Sequence, residues 1–364
     1  MNIPEMAEPP AHSHRPSPTQ PANMKDITQL VKAAGLLEPQ PLYYTLKIFT
    51  NLGMLAAAWT AFALLGDSWW QLATAACLAF CFGQTSVIGH DAGHRQIGRT
   101  RKVANLVGYL HANVLTGTNF HWWIGHHTKH HNFPNHLSLD PDIQRRQVIF
   151  DPAHHARKKG TVKRFIIRHQ GWMFYVLIPL EGLRLNLAGY IAAYRYAAMR
   201  KATTDLILCT THLVAYLTLL FSALPLGLAV SFLAVHQGLF GVYVGLLFAP
   251  NHKGMPLRDG QQEEQDWLPR QVLSSRNLAP NRLTDFFYAG LNYQIEHHLF
   301  PTMPRRSLHK AQPLVKRYVL THGLPYTETS PLRSYRDITR FLTMVSHQVP
   351  ERADSLTKAR GGAQ

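Results

Sequence analysis

The chain has 364 residues and 22 histidines, with 37 Lys and Arg against 21 Asp and Glu, a formal net charge of +16. So basic a balance raises nucleic acid as a partner, but no DNA- or RNA-binding motif accompanies it and that class is set aside. Three cysteines (Cys77, Cys81 and Cys209) in no disulfide or zinc spacing exclude a disulfide scaffold.

Residues 1–40 form a polar, proline-rich segment, expected to be disordered to about residue 23 and lacking the apolar core of a signal peptide. Within it, Asp26 to Leu37 has helical periodicity and an acidic start, which predicts a short helix. A mean hydropathy of -0.13 looks soluble only because the charges are segregated. Between Lys47 and His90 the sole charged residue is Asp67, and between Lys201 and Lys253 it is Asp205. Each run is about twice the roughly 20 residues of a membrane-crossing helix, so each predicts a hairpin of two spans. The spans are placed at Thr45 to Leu65, Trp69 to Ile88, Thr204 to Ala223 and Leu226 to Phe248, with Trp69 and Trp70 at an aromatic belt.

Between the hairpins, Leu106 to Leu115 is too short to cross and is read as an interfacial helix. Arg145 to Arg168 is basic and polar, suited to the membrane surface. Gln170 to Met199 mixes apolar faces with Glu181, Arg184 and Arg195, a pattern that favours helices lying in the interface over a span. The fold class is therefore an all-α integral membrane protein: four transmembrane helices in two hairpins, with interfacial helices. The membrane domain is assigned to 41–345, followed by a flexible tail over 346–364. Because both outer turns lack positive charge, the positive-inside rule puts the basic regions, both termini and the histidine clusters on the cytoplasmic side. A basic face of this kind suits anionic lipid headgroups, an anionic substrate carrier or an acidic electron-transfer protein.

Three histidine clusters stand beside the apolar runs: His90-Asp-Ala-Gly-His94, His127-Thr-Lys-His130-His131, and Gln294-Ile-Glu-His297-His298. Residues three and four apart share a helix face, so each cluster offers several imidazoles in one direction. His126 and His130 are also four apart, and spacing does not choose between His126 and His127. Imidazole suits iron, zinc, copper and nickel. With so few carboxylates among the donors, Asp91, Asp140, Asp142 and Glu296 are read as acceptors for the free ring N–H groups. His111, His121 and His136 are neighbours without specific spacing, and His212 and His236 are expected in interhelical hydrogen bonds. His12, His14, His154, His155, His169, His309, His322 and His347 are read as surface residues.

Over roughly Pro41 to Leu342 these boxes resemble the membrane fatty acid desaturases. The third box, within Gln-Ile-Glu-His-His-Leu-Phe-Pro-Thr-Met-Pro304, is similar to the front-end branch. So is Trp122-Trp123 leading to His127, His130 and His131, and that tryptophan pair favours His127 over His126. The resemblance implies a helical stem beneath a cytoplasmic cap holding two iron ions, with O2 as co-substrate and His90, His94, His127, His130, His131, His297 and His298 as the catalytic set. It adds His252 as a further metal ligand. Gln294 stands where other branches carry histidine, and is grouped with Asp91, Asp140 and Asp142 as cofactor-positioning residues. The implied activity is formation of a cis double bond in an acyl chain carried on coenzyme A or phospholipid. No His-Pro-Gly-Gly motif of a fused cytochrome b5 domain is found, so electrons are expected from a separate donor such as ferredoxin or cytochrome b5 with its reductase. A histidine-box hydroxylase or ketolase is the nearest alternative. A bis-histidine haem protein or a metal transporter would place its ligands inside the spans.

Overall fold

A computed structural model describes residues 21–98, 100–144, 148–152, 160–199, 203–260 and 266–348. The expectations for residues 1–20, for His12, His14, His154 and His155, and for the chain beyond residue 348 lie outside these.

The described chain is helical apart from a two-residue parallel pairing, Asn277–Leu278 with Glu328–Thr329. After α1 (Met24–Ala33), α2 (Pro41–Leu65) and α3 (Gln71–Gly93) form the first hairpin. Gln71, completely buried, closes its turn by donating to the carbonyls of Phe62 (2.7 Å) and Gly66 (2.9 Å). The second hairpin is α9 (Thr204–Ala223) and α10 (Leu226–His252), separated only by Leu224 and Pro225. The two hairpins meet where α3 crosses α10: a Cβ on Gly83 would lie 2.1 Å from the Tyr243 ring, so only glycine allows that approach.

Between the hairpins come α4 (Arg101–Gly108), a π-helical turn (Tyr109–Val114), α5 (Phe120–Asn132), α6 (Thr161–Arg168), α7 (Gln170–Leu177) and α8 (Glu181–Ala198). A 3-10 turn over Ile178–Leu180 joins α7 to α8, so Gln170–Ala198 is long and apolar enough to cross a membrane, giving five such helices among the described residues. Two of the three charges that interrupt its apolar pattern neutralise each other, with Arg184 Nε and Nη2 donating to the two Glu181 oxygens at 2.8 and 2.7 Å. Large apolar side chains such as Phe49, Leu64, Leu187, Val214 and Val230 are exposed along these helices. Hydrocarbon, which needs every backbone group satisfied internally, is the solvent that matches such helices.

The remaining elements build a cap: α11 (Trp267–Leu273), α12 (Arg282–Phe287), α13 (Gln294–Leu299), α14 (Arg305–Thr321) and α15 (Pro331–Gln348). Its core joins Ile27 and Val31 of α1 to Leu268, Ile295, Leu299, Met303, Leu308, Val315 and Val319, and contains no residue of the spanning helices. A separate core of Leu55, Phe62, Leu78, Phe82, Leu220, Phe232 and Phe240 holds the hairpins together. Ile295 and Leu299, which flank His297 and His298, belong to the cap core, whereas Ile88 and Ala92 beside His90 pack with Tyr44 and Phe120 in a third cluster.

Candidate metal centre

Each box sits on a helix whose position is fixed by polar contacts nearby. α3 carries His90 inside the helix and His94 at its C-cap, so the first box continues the span instead of following it. α5 is anchored at its N-terminus: Asn119 accepts from Trp122 N and donates to Gly189 O at 3.0 Å, while Phe120 N donates to Asn113. Asn113 in turn bonds Asp205 at the start of α9 (2.9 Å), and His121 reaches the other oxygen of the same carboxylate (2.9 Å). α13 is buried along its whole length, held at its start by Ile295 N donating to Asn277.

The boxes converge. His90, His94, His127 and His297 have ligand nitrogens within 4.8 Å of one another, as do His130, His252 and His298. Nitrogens bound to one ion at about 2.1 Å are at most about 4.2 Å apart, so small inward movements close either group. His131 lies between the groups, its ring stacked on His298 at 4.1 Å and its Nε2 3.0 Å from that of His127. The register question has a geometric answer: His127 faces His90 and His94, whereas His126 turns to Asp142 at 3.1 Å. His127 and His130, three residues apart, nevertheless enter different groups.

Several buried nitrogens here have no hydrogen-bond partner among the described residues: Nε2 of His90, His94 and His298, and both ring nitrogens of His297. A buried polar atom without a partner costs free energy, and four such rings aimed at common points are what a bound cation would satisfy. Burial first, and the neighbouring imidazoles second, hold His94, His127, His131, His297 and His298 well below the usual histidine range, so they are neutral and ready to donate lone pairs. For His130 burial is outweighed by the Asp140 and Asp142 carboxylates, which raise it. The donor set therefore fits two cations held by imidazole nitrogens, with His130 the ring whose Nδ1 is held by a carboxylate.

The acids divide. Asp140 accepts from His130 Nδ1 at 3.0 Å, and Asp91 lies 3.2 Å from His90 Nδ1. Asp142 stands 3.7 Å from His130 and pairs with His126 instead. Glu296 departs from expectation: its carboxylate accepts from Asn277 (2.7 Å) and Tyr326 (2.7 Å), no imidazole reaches it, and burial pushes it up to about 7. It fastens α13 to the paired strands and orients no ring. Gln294 contacts His252 at 2.9 Å and accepts from Asn251 at 3.2 Å. His212 and His236 lie away from the centre, bonded to Val114 O and the Tyr216 hydroxyl.

Three contributors escape sequence reasoning. Gln271 accepts from His298 Nδ1 (2.8 Å) while donating to His131 O (2.9 Å). The Ser274 carbonyl receives His252 Nδ1 at 2.9 Å. Arg305, buried, sits 2.6 Å from Asp91. None stands in a box, and a lone glutamine or a backbone carbonyl has no sequence signal. A cavity of about 170 Å³ reaches the second group at His130, His252 and Gln294. Its walls are mostly apolar, among them Trp123, Phe174, Ile178, Val244 and Phe248, and Glu181 and Arg184 also line it.

Residues 67–330 match the family model described as fatty acid desaturase. The chain belongs to the fatty acid desaturase family. Among its relatives is the acyl-lipid (9-3)-desaturase of Physcomitrium patens, 29% identical over 86% of this chain and 61% of the moss protein. Fatty acid desaturase 3 of Bos taurus is 30% identical over 88% of this chain and 72% of the bovine one. The Delta(8)-fatty-acid desaturase 2 of Arabidopsis thaliana is 29% identical, over 79% and 67% respectively. This chain thus spans about 61% to 72% of the length of these relatives.

Proposed function

We propose that this protein introduces a cis double bond into a fatty acyl chain held in the apolar cavity, with His90, His94, His127 and His297 holding one iron and His130, His252 and His298 the other. His131 bridges the two groups, and Gln294 completes the surroundings of His252. The observation that carries the proposal is the juxtaposition of two sets of buried imidazoles with the end of a mostly apolar cavity. When bound, the two iron ions supply the O2-dependent removal of hydrogen from unactivated methylene carbons, which no protein side chain performs as a base.

The chain's own residues bind and orient. Trp123, Phe174, Ile178 and Phe248 line a passage that replaces water around the acyl methylenes. Holding the reacting carbons beside the centre converts proximity into rate, so the shape of this passage selects the bond that reacts. Asp140, Gln271 and the Ser274 carbonyl fix ring orientation by accepting N–H groups, which directs each Nε2 inward. Lipid around the four helices of the two hairpins gives a fatty acyl substrate access to the cavity, and four crossings leave the centre and both termini on the cytoplasmic side.

Expression in a host that makes no polyunsaturated lipids, followed by fatty acid profiling with double-bond localisation, tests this directly. A new product two mass units lighter than its precursor, about 2 Da, is expected. A product that gains oxygen would instead make the protein a hydroxylase.

A further inference from the structure

Desaturation by O2 leaves an electron shortfall. A CH2–CH2 unit gives up two electrons and two protons, but O2 takes four of each to become two waters. Two more electrons and two protons must enter per double bond, so the reading above requires a donor to reach the centre. We propose that a soluble, acidic one-electron carrier protein docks on the outer face of α14, on Arg306, Lys310 and Arg317, and delivers one electron in each of two encounters.

Helix α14 contains five Lys and Arg residues and no acid. Arg306, Lys310 and Arg317 follow one another at i, i+4 and i+11, which places them on one face, and all three are exposed. None has an acidic partner among the described residues, whereas the neighbouring Lys316 is paired with Glu328 at 3.6 Å. Unpaired charges of one sign on a rigid face steer oppositely charged partners and fix their register.

A second basic row, Arg333, Arg336 and Arg340 on α15, is equally exposed but differently placed. α15 packs on α6, α7 and α10, the last two parts of long apolar helices, so that row lies near lipid headgroups. α14 packs on α1 and α13, and its inner residues Leu308, Ala311, Val315 and Val319 belong to the cap core. Its first residue, Arg305, meets the ends of α2 and α3 by donating to the Tyr44 hydroxyl and the Val87 carbonyl at 3.1 and 3.2 Å, and from there the helix runs along the cap with Lys310 and Arg317 turned away from that core. It is also close to the centre: Arg305, next to Arg306, is joined through Asp91 to His90 in contacts of 2.6 and 3.2 Å.

The test uses the full-length, iron-loaded protein in nanodiscs, with plant-type ferredoxin and the soluble cytochrome b5 haem domain as probes. The triple variant R306E/K310E/R317E should weaken binding of the better probe at least about tenfold and flatten its salt dependence. The same charges neutralised, R306Q/K310Q/R317Q, should fall between, and R333E/R336E/R340E should change the Kd by less than about twofold. Product formation driven by dithionite should be unaltered in the α14 variants. Parent protein that binds neither probe overturns the proposal, as does an unchanged Kd in the α14 variants or an equal loss on α15. Loss of binding to phosphatidylglycerol vesicles with carrier binding intact makes α14 a lipid-facing surface and also overturns it. No double bond from the parent protein with either carrier or dithionite would sink the desaturase reading itself, a result distinct from product made by variants that still bind the carrier.

Discussion

The two imidazole groups are held in different ways. In the group of His130, His252 and His298, every Nδ1 meets a fixed acceptor: Asp140, the Ser274 carbonyl and Gln271. In the group of His90, His94, His127 and His297, only His90 has such a contact, with Asp91. The other three are placed by ring packing, including Trp123 stacked on His127 at 4.5 Å. Hydrogen-bonded rings keep their tautomer and direction before a cation arrives; packed rings rely more on the cation itself. The boxes thus give one group whose ring directions are fixed by hydrogen bonds and one whose rings are set mainly by packing.

Removing a ring from either group breaks both halves. His297→Ala and His130→Ala should each reduce desaturated product below detection while leaving the protein in the membrane fraction, as read by lipid profiling and immunoblot. Wild-type product from either would end the assignment of these rings. Next in size is Asp91→Ala, which leaves Arg305 buried without its counter-charge. Losing one partner of a buried pair costs about 3–5 kcal/mol, so thermal unfolding in detergent should occur at a markedly lower temperature. Asp91→Ala combined with Arg305→Met should recover part of that loss.

The comparison itself is sharpened by Gln271→Leu, which takes the acceptor from His298 and should lower metal affinity by about 10–100-fold. Trp123→Phe, acting on the packed group, should lose less. Iron retention against a chelator measures both, and equal retention in Q271L and parent would erase the distinction between the groups.

The smallest effect belongs to His121, outside both groups. Its hydrogen bond to Asp205 raises it above the ordinary histidine value. Protonated His121 is therefore favoured by folding: its contribution is complete below about pH 6.5 and fades as pH rises through the raised value. His121→Gln should remove that descending part of the stability profile, and an unchanged pH profile would show that the pair does not anchor α5.

Much of this was legible in the chain. The long uncharged runs give the two hairpins, because hydrocarbon tolerates almost no unpaired charge, and the i,i+3 and i,i+4 spacing gives the shared faces of the boxes. Spacing did not reveal that His127 and His130 part into separate groups, since that depends on where α3 and α13 arrive against α5. Nor did it reveal the continuous length of Gln170–Ala198, where two of the interrupting charges, Glu181 and Arg184, are in contact. Glu296 shows the opposite failure, an acid beside a histidine pair that serves Asn277 and Tyr326 instead.

What the sequence alone determined was the helical membrane class and the identity of the converging side chains, because hydrophobic run length and residue type are local properties. Which rings fall into one group, which acceptors aim them and where the cavity ends were decided by tertiary structure. Those depend on contacts between segments more than a hundred residues apart, such as His130 with His252, and no local pattern encodes the distance between two helices.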